Sequence, residues 1–255
     1  MTEHLRRDLT DGVLTLTLDR VDKKNALTEA MYAALSDGLE QAESDPAVRV
    51  VLLRAEGESF TAGNDLGDFA KVAMTGENPV QVTRFLRALA HASKPLVAAV
   101  RGRAVGVGTT LLLHCDLVLL AEDALLTTPF VGLALVPEAA SSLLLPARIG
   151  HARAYAMFAL GEAMGAAEAV ACGLANKALP AEQLDAVARD TARRLASQPA
   201  GALAATKRLM RDAGVIAGVM ETESAQFLNR LRSPEAREAF QAFAERRAPD
   251  FSKFG

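Results

Sequence analysis

The fold is decided by Lys94-Pro-Leu-Val-Ala-Ala-Val-Arg-Gly-Arg-Ala-Val-Gly-Val-Gly108, an apolar segment that runs into three closely spaced glycines. Residues 96–100 predict a buried strand, and residues 107–113 predict a helix that begins beside the glycines. Residues 117–121 predict the next strand. A strand, a connecting helix and another strand at this spacing are typical of an α/β protein with a mainly parallel sheet.

A second glycine-containing segment, Ser59-Phe-Thr-Ala-Gly-Asn-Asp-Leu66, follows the strand-like residues 48–54 in the same way. Glycine allows a tight turn and a close approach to a ligand, and the first N–H groups of a helix have no partners within it. Such donors suit an oxygen that gains negative charge during a reaction. Together the two segments predict a pair of backbone amides aimed at one oxygen, although either segment alone is more typical of a simple turn.

The remaining pattern divides the chain into two parts. Thr28 predicts the N-cap of a helix that reaches about residue 43, within a region that alternates strands and helices. From residue 141 onward, glycine and proline separate segments that predict helices only. We therefore expect an α/β core over residues 1–196 and a helical region over residues 197–255.

Composition limits the class of protein. Half of the 255 residues are hydrophobic and the formal net charge is −3, which argues against a disordered chain and against nonspecific binding of nucleic acid. Cys115 and Cys172 lack the spacing of a metal site, so we expect no metal. The charged residues 1–11 do not resemble a signal peptide, and the apolar runs are too short to span a bilayer. We expect a reduced, cytoplasmic protein that does not enter membranes.

A lone carboxylate lies in Pro129-Phe-Val-Gly-Leu-Ala-Leu-Val-Pro-Glu-Ala-Ala-Ser-Ser142, where Glu138 is surrounded by apolar and small residues. Apolar neighbours disfavour the charged form of an acid and raise its pKa toward the range that suits proton transfer. An oxyanion site and one buried acid indicate proton transfer next to a carbonyl group. A glutamate after proline also commonly marks the start of a helix, and that interpretation stays open.

Several segments, in this order and spacing, resemble the crotonase, or enoyl-CoA hydratase/isomerase, superfamily across almost the whole chain. They are Lys24-Asn-Ala-Leu27, Ser59 to Leu66, Lys94 to Gly102, Gly106-Val-Gly108 with Cys115-Asp116, Ala147-Arg-Ile-Gly150, Gly173-Leu-Ala-Asn176 and the tail from Ser233 to Pro249. The resemblance implies a crotonase-type (ClpP/crotonase) spiral of ββα units with a helical C-terminal trimerisation region. It also implies a homotrimer or a dimer of trimers.

The substrates that the resemblance implies are acyl-CoA thioesters, with coenzyme A as part of the substrate and no separate cofactor. The amides of Asn64 and Val107 correspond to the oxyanion donors, and Phe251 and Lys253 of a neighbouring subunit correspond to residues near the nucleotide end. The other positions that correspond to substrate contacts are Lys24, Ala26, Leu27, Ala62, Gly63, Asp65, Leu66, Gly106, Thr110 and Phe130. For Asp65, a role as the cap of the following helix is the plainer alternative.

The acids distinguish the possible reactions. The two positions that carry glutamate in the hydratases of this family hold Thr110 and Phe130 here. The segment around Glu138 instead resembles the Δ3,Δ2-enoyl-CoA isomerases, with Ala139 where a glycine is usual. We therefore expect an enoyl-CoA isomerase with Glu138 as the catalytic acid. The alternatives are an enoyl-CoA hydratase or another crotonase-type acyl-CoA reaction, and a non-catalytic acyl-CoA-binding protein.

Overall fold

The computed structural model describes residues 3–65, 67–68 and 79–254. Leu66, one of the positions expected to contact the substrate, lies outside the described residues, as does the segment 69–78. The described strands are β1 (Leu5–Thr10), β2 (Val13–Leu18), β3 (Val50–Ala55), β4 (Ser59–Thr61), β5 (Leu96–Val100), β6 (Arg103–Val105), β7 (Leu117–Ala121), β8 (Leu125–Thr127), β9 (Met164–Gly165) and β10 (Lys177–Leu179).

The described helices alternate with these strands and then continue alone to the end of the chain. They are α1 (Glu29–Ser44), α2 (Val80–His91), α3 (Val107–Thr110), α4 (Ser141–Ile149), α5 (His151–Tyr155), α6 (Ala166–Ala171), α7 (Ala181–Ala196), α8 (Ala200–Met210), α9 (Ala213–Leu231) and α10 (Pro234–Ala244). As expected, Thr28 caps α1, because its side chain accepts a hydrogen bond from the Met31 amide.

The strands form two sheets in an alternating order. One sheet has the order β1-β2-β3-β5-β7-β10, and the other has the order β4-β6-β8-β9. Successive strand pairs, β3 with β4, β5 with β6, and β7 with β8, therefore send one strand to each sheet. Neighbours from β2 to β10 in the larger sheet are parallel. This repetition is the spiral of ββα units that we expected, in a mixed α/β fold.

The larger sheet is buried on both faces, which accounts for the nearly continuous apolar runs of its strands. In β3, Val51 and Leu53 face the main core, whereas Val50 and Leu52 face the opposite side. That opposite side is covered by α7, whose buried residues Leu184, Ala188 and Ala192 recur every four positions. The small alanine side chains allow the helix to lie close to the sheet, and α7 ends at Ala196.

Two expectations about secondary structure were wrong or incomplete. We expected helices only after residue 141, but β9 pairs with β8 and β10 pairs with β7. These strands have two and three residues, too few to show a periodic pattern. The charged segment before residue 11 contains β1, which we did not predict. It is an edge strand, and charged residues such as Arg6 and Arg7 are common at edges because they discourage association of sheets.

The C-terminal helices α8, α9 and α10 follow the sheet region. Helix α9 packs against α2, and residues of both helices line one cavity together with Asn64 and Val107 of the glycine-containing segments. Within the described ranges, no helix is both long enough and apolar enough to cross a bilayer. The division of the chain at residue 196 stays a prediction.

Candidate active site

Three loops that follow neighbouring parallel strands build the candidate site. Both β4 and β8 pair in parallel with β6, which lies between them. The carboxyl ends of parallel strands meet at one edge of a sheet. Asn64 follows β4, Val107 follows β6, and the loop that carries Glu138 follows β8, so these residues lie at the same edge of the smaller sheet.

The backbone of Asn64 is oriented by an isolated parallel bridge to Leu27. The Leu27 N–H donates to the Gly63 carbonyl at 2.8 Å, and the Leu27 carbonyl accepts from the Asp65 N–H at 2.9 Å. Because a residue in such a bridge bonds to both neighbours of its partner, the N–H of Asn64 faces away from Leu27. No acceptor among the described residues receives this N–H.

Val107 supplies a second open amide. It is the first residue of α3, so its N–H has no partner within the helix, and no other described residue accepts from it. Gly63 brings the two turns together. Its φ is +87°, and a β carbon there would lie 2.9 Å from the Val105 carbonyl oxygen, so only glycine allows this approach without a shift.

Two cavities are lined by both Asn64 and Val107, and they also share Phe227. We call the one that contains the acid the first cavity. Its lining is Asn64, Pro79, Val82, Thr83, Leu86, Val107, Glu138, Ser224, Phe227 and Leu228. The second cavity is lined by Asn64 and Val107 together with Ala62, Gly63, Val105, Gly106, Pro129, Phe130, Leu133, Leu135, Phe227 and Phe240.

Glu138 carries the only carboxylate among the described residues that line the first cavity. The residue as a whole is half-buried, and its carboxyl group is buried. Burial, the largest influence, and the nearby negative charge of Glu223 raise the pKa of Glu138 to about 7. The Thr110 hydroxyl opposes this rise by donating to Oε1 of Glu138 at 2.5 Å. Such a carboxyl group exchanges protons readily near neutral pH.

The loop after Glu138 has an unusual backbone. Ala139 and Ala140 have φ values of +60° and +55°, in the left-handed region that costs about 1 kcal/mol or more for a residue with a β carbon. The left-handed φ of Ala139 gives the physical reason why glycine suits this position. Ala140 is also the N-cap of α4, and its side chain makes no capping hydrogen bond.

Two buried side chains hold this loop from opposite sides. His114 bonds through Nε2 to the Ala139 carbonyl at 2.7 Å, while its Nδ1 accepts from Arg211. Burial, with the positive charge of Arg211 next in size, lowers the pKa of His114 to about 3, so the ring is neutral with its proton on Nε2. From the other side, Glu223 accepts from the amides of Ala140 and Ser142 at 2.6 and 2.8 Å.

The side chain of Asn64 is held as well. The hydroxyl of Tyr32, which is fully buried in α1, donates to Oδ1 of Asn64 at 2.5 Å. Burial is the main cause of a pKa for Tyr32 well above its usual value, so the hydroxyl keeps its proton. The Tyr32 ring packs against Phe85 of α2, with a centroid distance of 5.5 Å.

The predicted residues of the 24–27 and 62–65 loops form one hydrogen-bonded rim. The Lys24 carbonyl accepts from the Ala62 amide at 2.9 Å, and the Ala26 carbonyl accepts from Arg20 at 2.9 Å. Arg20 also pairs with the Asp65 carboxylate at 2.7 Å. Asp65 accepts from the amides of Gly67 and Asp68 in addition, so the capping role is what this structure shows for its side chain.

Other predicted residues are divided between the site and a distant surface. Thr110 and Phe130 are buried at the site, Thr110 against Glu138 and Phe130 in the wall of the second cavity. Phe251 instead lines a separate cavity, and Lys253 pairs with Asp250 at 3.4 Å. Within this chain, neither Phe251 nor Lys253 lines the two cavities of the site.

We did not predict the roles of Tyr32, His114 and Glu223. For Glu223 the sequence contains a signal, because the buried residues Ile216, Met220 and Glu223 of α9 follow helical spacing. A glutamate on an otherwise apolar helical face indicates a buried acid with partners elsewhere in the fold. Tyr32 and His114 have no comparable signal, since a buried tyrosine or histidine fits an ordinary core.

Comparisons with known proteins identify the family of this chain. The family model described as enoyl-CoA hydratase/isomerase matches residues 8–253. The chain is 35% identical to 1,2-epoxyphenylacetyl-CoA isomerase of Escherichia coli K12, over 99% of both chains, and 33% identical to a probable enoyl-CoA hydratase of Rhodobacter capsulatus, over 97% of both. A crystal structure of an enoyl-CoA hydratase/isomerase from Pseudoalteromonas atlantica is similar with a TM-score of 0.93 and 40% identity, and the match covers 98% of this chain and 100% of the other. This chain therefore belongs to the enoyl-CoA hydratase/isomerase family of the crotonase superfamily.

Proposed function

We propose that this family member is an enoyl-CoA isomerase, which moves the double bond of a 3-enoyl-CoA to the 2,3 position. The amides of Asn64 and Val107 hold the thioester oxygen, and Glu138 moves the proton. The observation that carries the proposal is the first cavity, which is lined by Asn64, by Val107 and by one carboxylate of raised pKa, Glu138.

The reaction needs one acid that works twice. Glu138 removes a proton from C2, and the electrons of that C–H bond form a C1–C2 double bond as the π electrons of the thioester carbonyl move onto its oxygen. The C3–C4 double bond is kept in this dienolate and takes up the proton at C4 in the second step, when the carbonyl re-forms and the C1–C2 electrons shift to C2–C3. In the dienolate, negative charge rests on the thioester oxygen, where the two amides stabilise it. In a well-studied oxyanion hole of a protease, the loss of one such donor costs about 3 to 4 kcal/mol. The protonated Glu138 then returns the proton to C4, and no atom is gained or lost.

Hydration would require more than the described residues of this cavity offer. Water must be deprotonated for attack on C3 while C2 receives a proton, and hydratases of this family use two glutamates. Here the Thr110 hydroxyl already donates to Glu138, and Phe130 is a buried apolar residue. The single ionisable group therefore favours a proton shuttle over the activation of water.

The walls of the first cavity indicate the class of acyl group. Val82, Leu86, Phe227 and Leu228 present apolar surface beyond Glu138. An acyl chain that ends in a carboxylate would lose its hydration there without a described cation to replace it. We therefore propose an apolar acyl chain. The second cavity, next to Ala62 and Gly63, is where we place the start of the coenzyme A arm.

The test is incubation of the purified protein with a 3-enoyl-CoA and, separately, with a 2-enoyl-CoA. We expect conversion of the first and no hydration of the second. Hydration of the 2-enoyl-CoA without conversion of the 3-enoyl-CoA would show that the protein is a hydratase and not an isomerase. Binding of both without turnover would favour the non-catalytic acyl-CoA-binding protein. A third incubation, with 1,2-epoxyphenylacetyl-CoA, tests whether the protein catalyses the reaction for which the Escherichia coli relative is named.

A matched pair of variants links the activity to the acid. Glu138→Gln keeps a similar shape but cannot accept the proton, so we expect turnover to fall by about 1000-fold or more while acyl-CoA binding stays within a few-fold. Glu122→Gln changes an exposed acid on the same chain and should leave turnover unchanged. Normal turnover by Glu138→Gln would remove this residue from the mechanism.

Assembly and location are part of the same proposal. We propose a homotrimer or a dimer of trimers, which the exposed apolar side chains of α8 support. We also propose that the enzyme acts in the cytoplasm, since Cys115 and Cys172 are both free thiols.

A further inference from the structure

Glu223 is a buried acid of α9, and only 7% of the residue is exposed. Both of its carboxylate oxygens accept hydrogen bonds. Oε2 accepts from the Ala140 amide at 2.6 Å and Oε1 accepts from the Ser142 amide at 2.8 Å. An acid whose two oxygens are held by backbone amides is poorly suited to accept a substrate proton. Its contacts point to the backbone that carries Glu138.

Those amides belong to a segment that His114 holds only from the opposite side, through the Ala139 carbonyl. Ala139 and Ala140 are both left-handed, and the N-cap position of α4 is an alanine without a capping oxygen. Glu223 supplies that oxygen from another helix and places a negative charge at the N-terminus of α4, where the helix dipole favours it. The ordinary cost of a missing cap, about 1 kcal/mol, is offset in this way.

The same helix forms the wall opposite the acid. Ser224, the next residue, and Phe227, one turn later, line the first cavity with Glu138. The position of Glu138 relative to the substrate therefore depends on how α9 lies against the 139–142 segment. A displacement of about 1 Å of a reacting group can lower a rate about 100-fold.

We propose that Glu223 is a positioning residue, which clamps the left-handed Ala139-Ala140 segment and thereby aims Glu138 at the acyl chain in the first cavity. This proposal rests on the assignment of Glu138 as the catalytic acid. It makes α9 of the C-terminal region a part of the machinery that orients the proton-transfer group.

Glu223 also acts through its charge. Among the described residues, Glu138 is influenced by the hydroxyl of Thr110 from α3, by the hydroxyl of Tyr32 from α1 and by the carboxylate of Glu223 from α9. The first two are neutral at neutral pH. Loss of the Glu223 charge removes a repulsion, so the pKa of Glu138 falls when glutamine replaces Glu223.

The test compares Glu223→Gln with Glu221→Gln, an exposed acid two residues earlier on the same helix. The amide of glutamine can replace one acceptor oxygen but not both. We expect Glu223→Gln to lower kcat by about 10- to 100-fold with little change in KM, and to move the acid limb of the kcat/KM profile to lower pH. Glu221→Gln should match the parent enzyme in each measurement.

A second variant separates positioning from general destabilisation. Ala139→Gly removes the backbone strain that the clamp holds, so the double variant Ala139→Gly with Glu223→Gln should recover a large part of the lost kcat. If Glu223→Gln fails to fold, the comparison is made between Ala139→Gly and the double variant. Parent values of kcat for Glu223→Gln, or a double variant no more active than Glu223→Gln alone, would overturn the proposal.

A readout without turnover keeps this test separate from the proposed function. The carbon-13 carboxyl resonance of Glu138, assigned by its loss in Glu138→Gln, reports the pKa of that acid directly. We expect its titration to move to lower pH in Glu223→Gln and to stay in place in Glu221→Gln. An unmoved resonance would refute the charge interaction between Glu223 and Glu138. If the resonance moves but the protein hydrates 2-enoyl-CoA, the role of Glu223 is supported and only the proposed isomerase activity is rejected.

Discussion

At the scale of single residues, Glu138 combines two opposing demands. Its carboxyl group is buried, which disfavours the charged form, yet the proposed proton transfer requires that charged form when the proton is removed from the substrate. A pKa of about 7 meets both demands, since either form is accessible near neutral pH. The sequence predicted the direction of this shift from the apolar neighbours, but not the contribution of Glu223, which is 85 positions away in the chain and becomes a neighbour only through folding.

The activity should depend on pH in a way that follows from this group. The proposed reaction requires the base form of Glu138, so we expect kcat/KM for a 3-enoyl-CoA to rise with pH and to level off above an inflection near 7. The measurement is the initial rate at low substrate concentration between pH 5 and pH 9. An inflection near 4.5, the usual value for glutamate, would show that the acid is exposed to water in the working enzyme.

The same group should make the folded protein less stable as the pH rises. Because the folded state holds the Glu138 proton up to about pH 7 and the unfolded state loses it near 4.5, stability falls as the pH increases between these values. The gap corresponds to about 3 kcal/mol. We expect Glu138→Gln to unfold at a higher temperature than the parent protein at pH 8, and at a similar temperature at pH 4. Equal melting temperatures at pH 8 would contradict the burial of this carboxyl group.

Tyr32 is the second residue whose removal should be informative. Tyr32→Phe deletes the hydroxyl that holds Oδ1 of Asn64 but keeps the ring that packs against Phe85. We expect the free energy of unfolding to fall by about 1 kcal/mol, because one buried hydrogen bond is lost. We expect kcat to fall about tenfold, because the backbone N–H of Asn64 is less firmly oriented once its side chain is released. The control is Tyr155→Phe, which changes a tyrosine that is 64% exposed. Equal kcat in both variants would show that Tyr32 contributes only to the packing of the core.

At the scale of elements, the glycine-containing turns show how far the sequence leads. Both turns and their open amides were predictable, because a glycine that follows an apolar strand commonly marks a tight turn. The contact between the two turns was not predictable, because the approach of Gly63 to the Val105 carbonyl depends on the parallel pairing of β4 with β6. The short strands β9 and β10 escaped prediction for the related reason that pairing, and not local pattern, defines them.

Gly63 should tolerate no side chain. Gly63→Ala places a β carbon 2.9 Å from the Val105 oxygen at a φ of +87°, so the turn must shift and carry Asn64 with it. We expect the free energy of unfolding to fall by about 1 to 3 kcal/mol. We expect kcat to fall by more than the small loss of folded protein would explain. Gly132→Ala is the matched control, because a β carbon there meets no atom within 4 Å. Full activity of Gly63→Ala would show that Asn64 does not depend on this turn.

At the scale of the whole molecule, the C-terminal helices carry apolar side chains that the single chain does not bury. Leu209 and Met210, at the end of α8, are 89% and 83% exposed. The predicted trimer would cover such surface. The sequence suggested the assembly only through its resemblance to the family, since a helix with exposed leucine looks the same in sequence whether its partner is the same chain or another.

The assembly should therefore depend on α8. We expect the parent protein to have three or six times the mass of one chain in light scattering after size-exclusion chromatography. Leu209→Arg should shift it toward single chains, because a charge on a buried apolar contact is unfavourable. Leu9→Arg, on the edge strand β1, should leave the mass unchanged. A parent protein that elutes as a single chain would disprove the predicted assembly.

The place of Ser224, Phe227 and Leu228 in the wall of the first cavity has a consequence for the synthesis of the enzyme. The ribosome makes Asn64, Val107 and Glu138 first and this wall last. A nascent chain that has folded its sheets therefore still lacks a closed substrate chamber. A chain cut short before residue 213 therefore has Asn64, Val107 and Glu138 but only the α2 side of the cavity wall, so water reaches these residues from the side that α9 would cover.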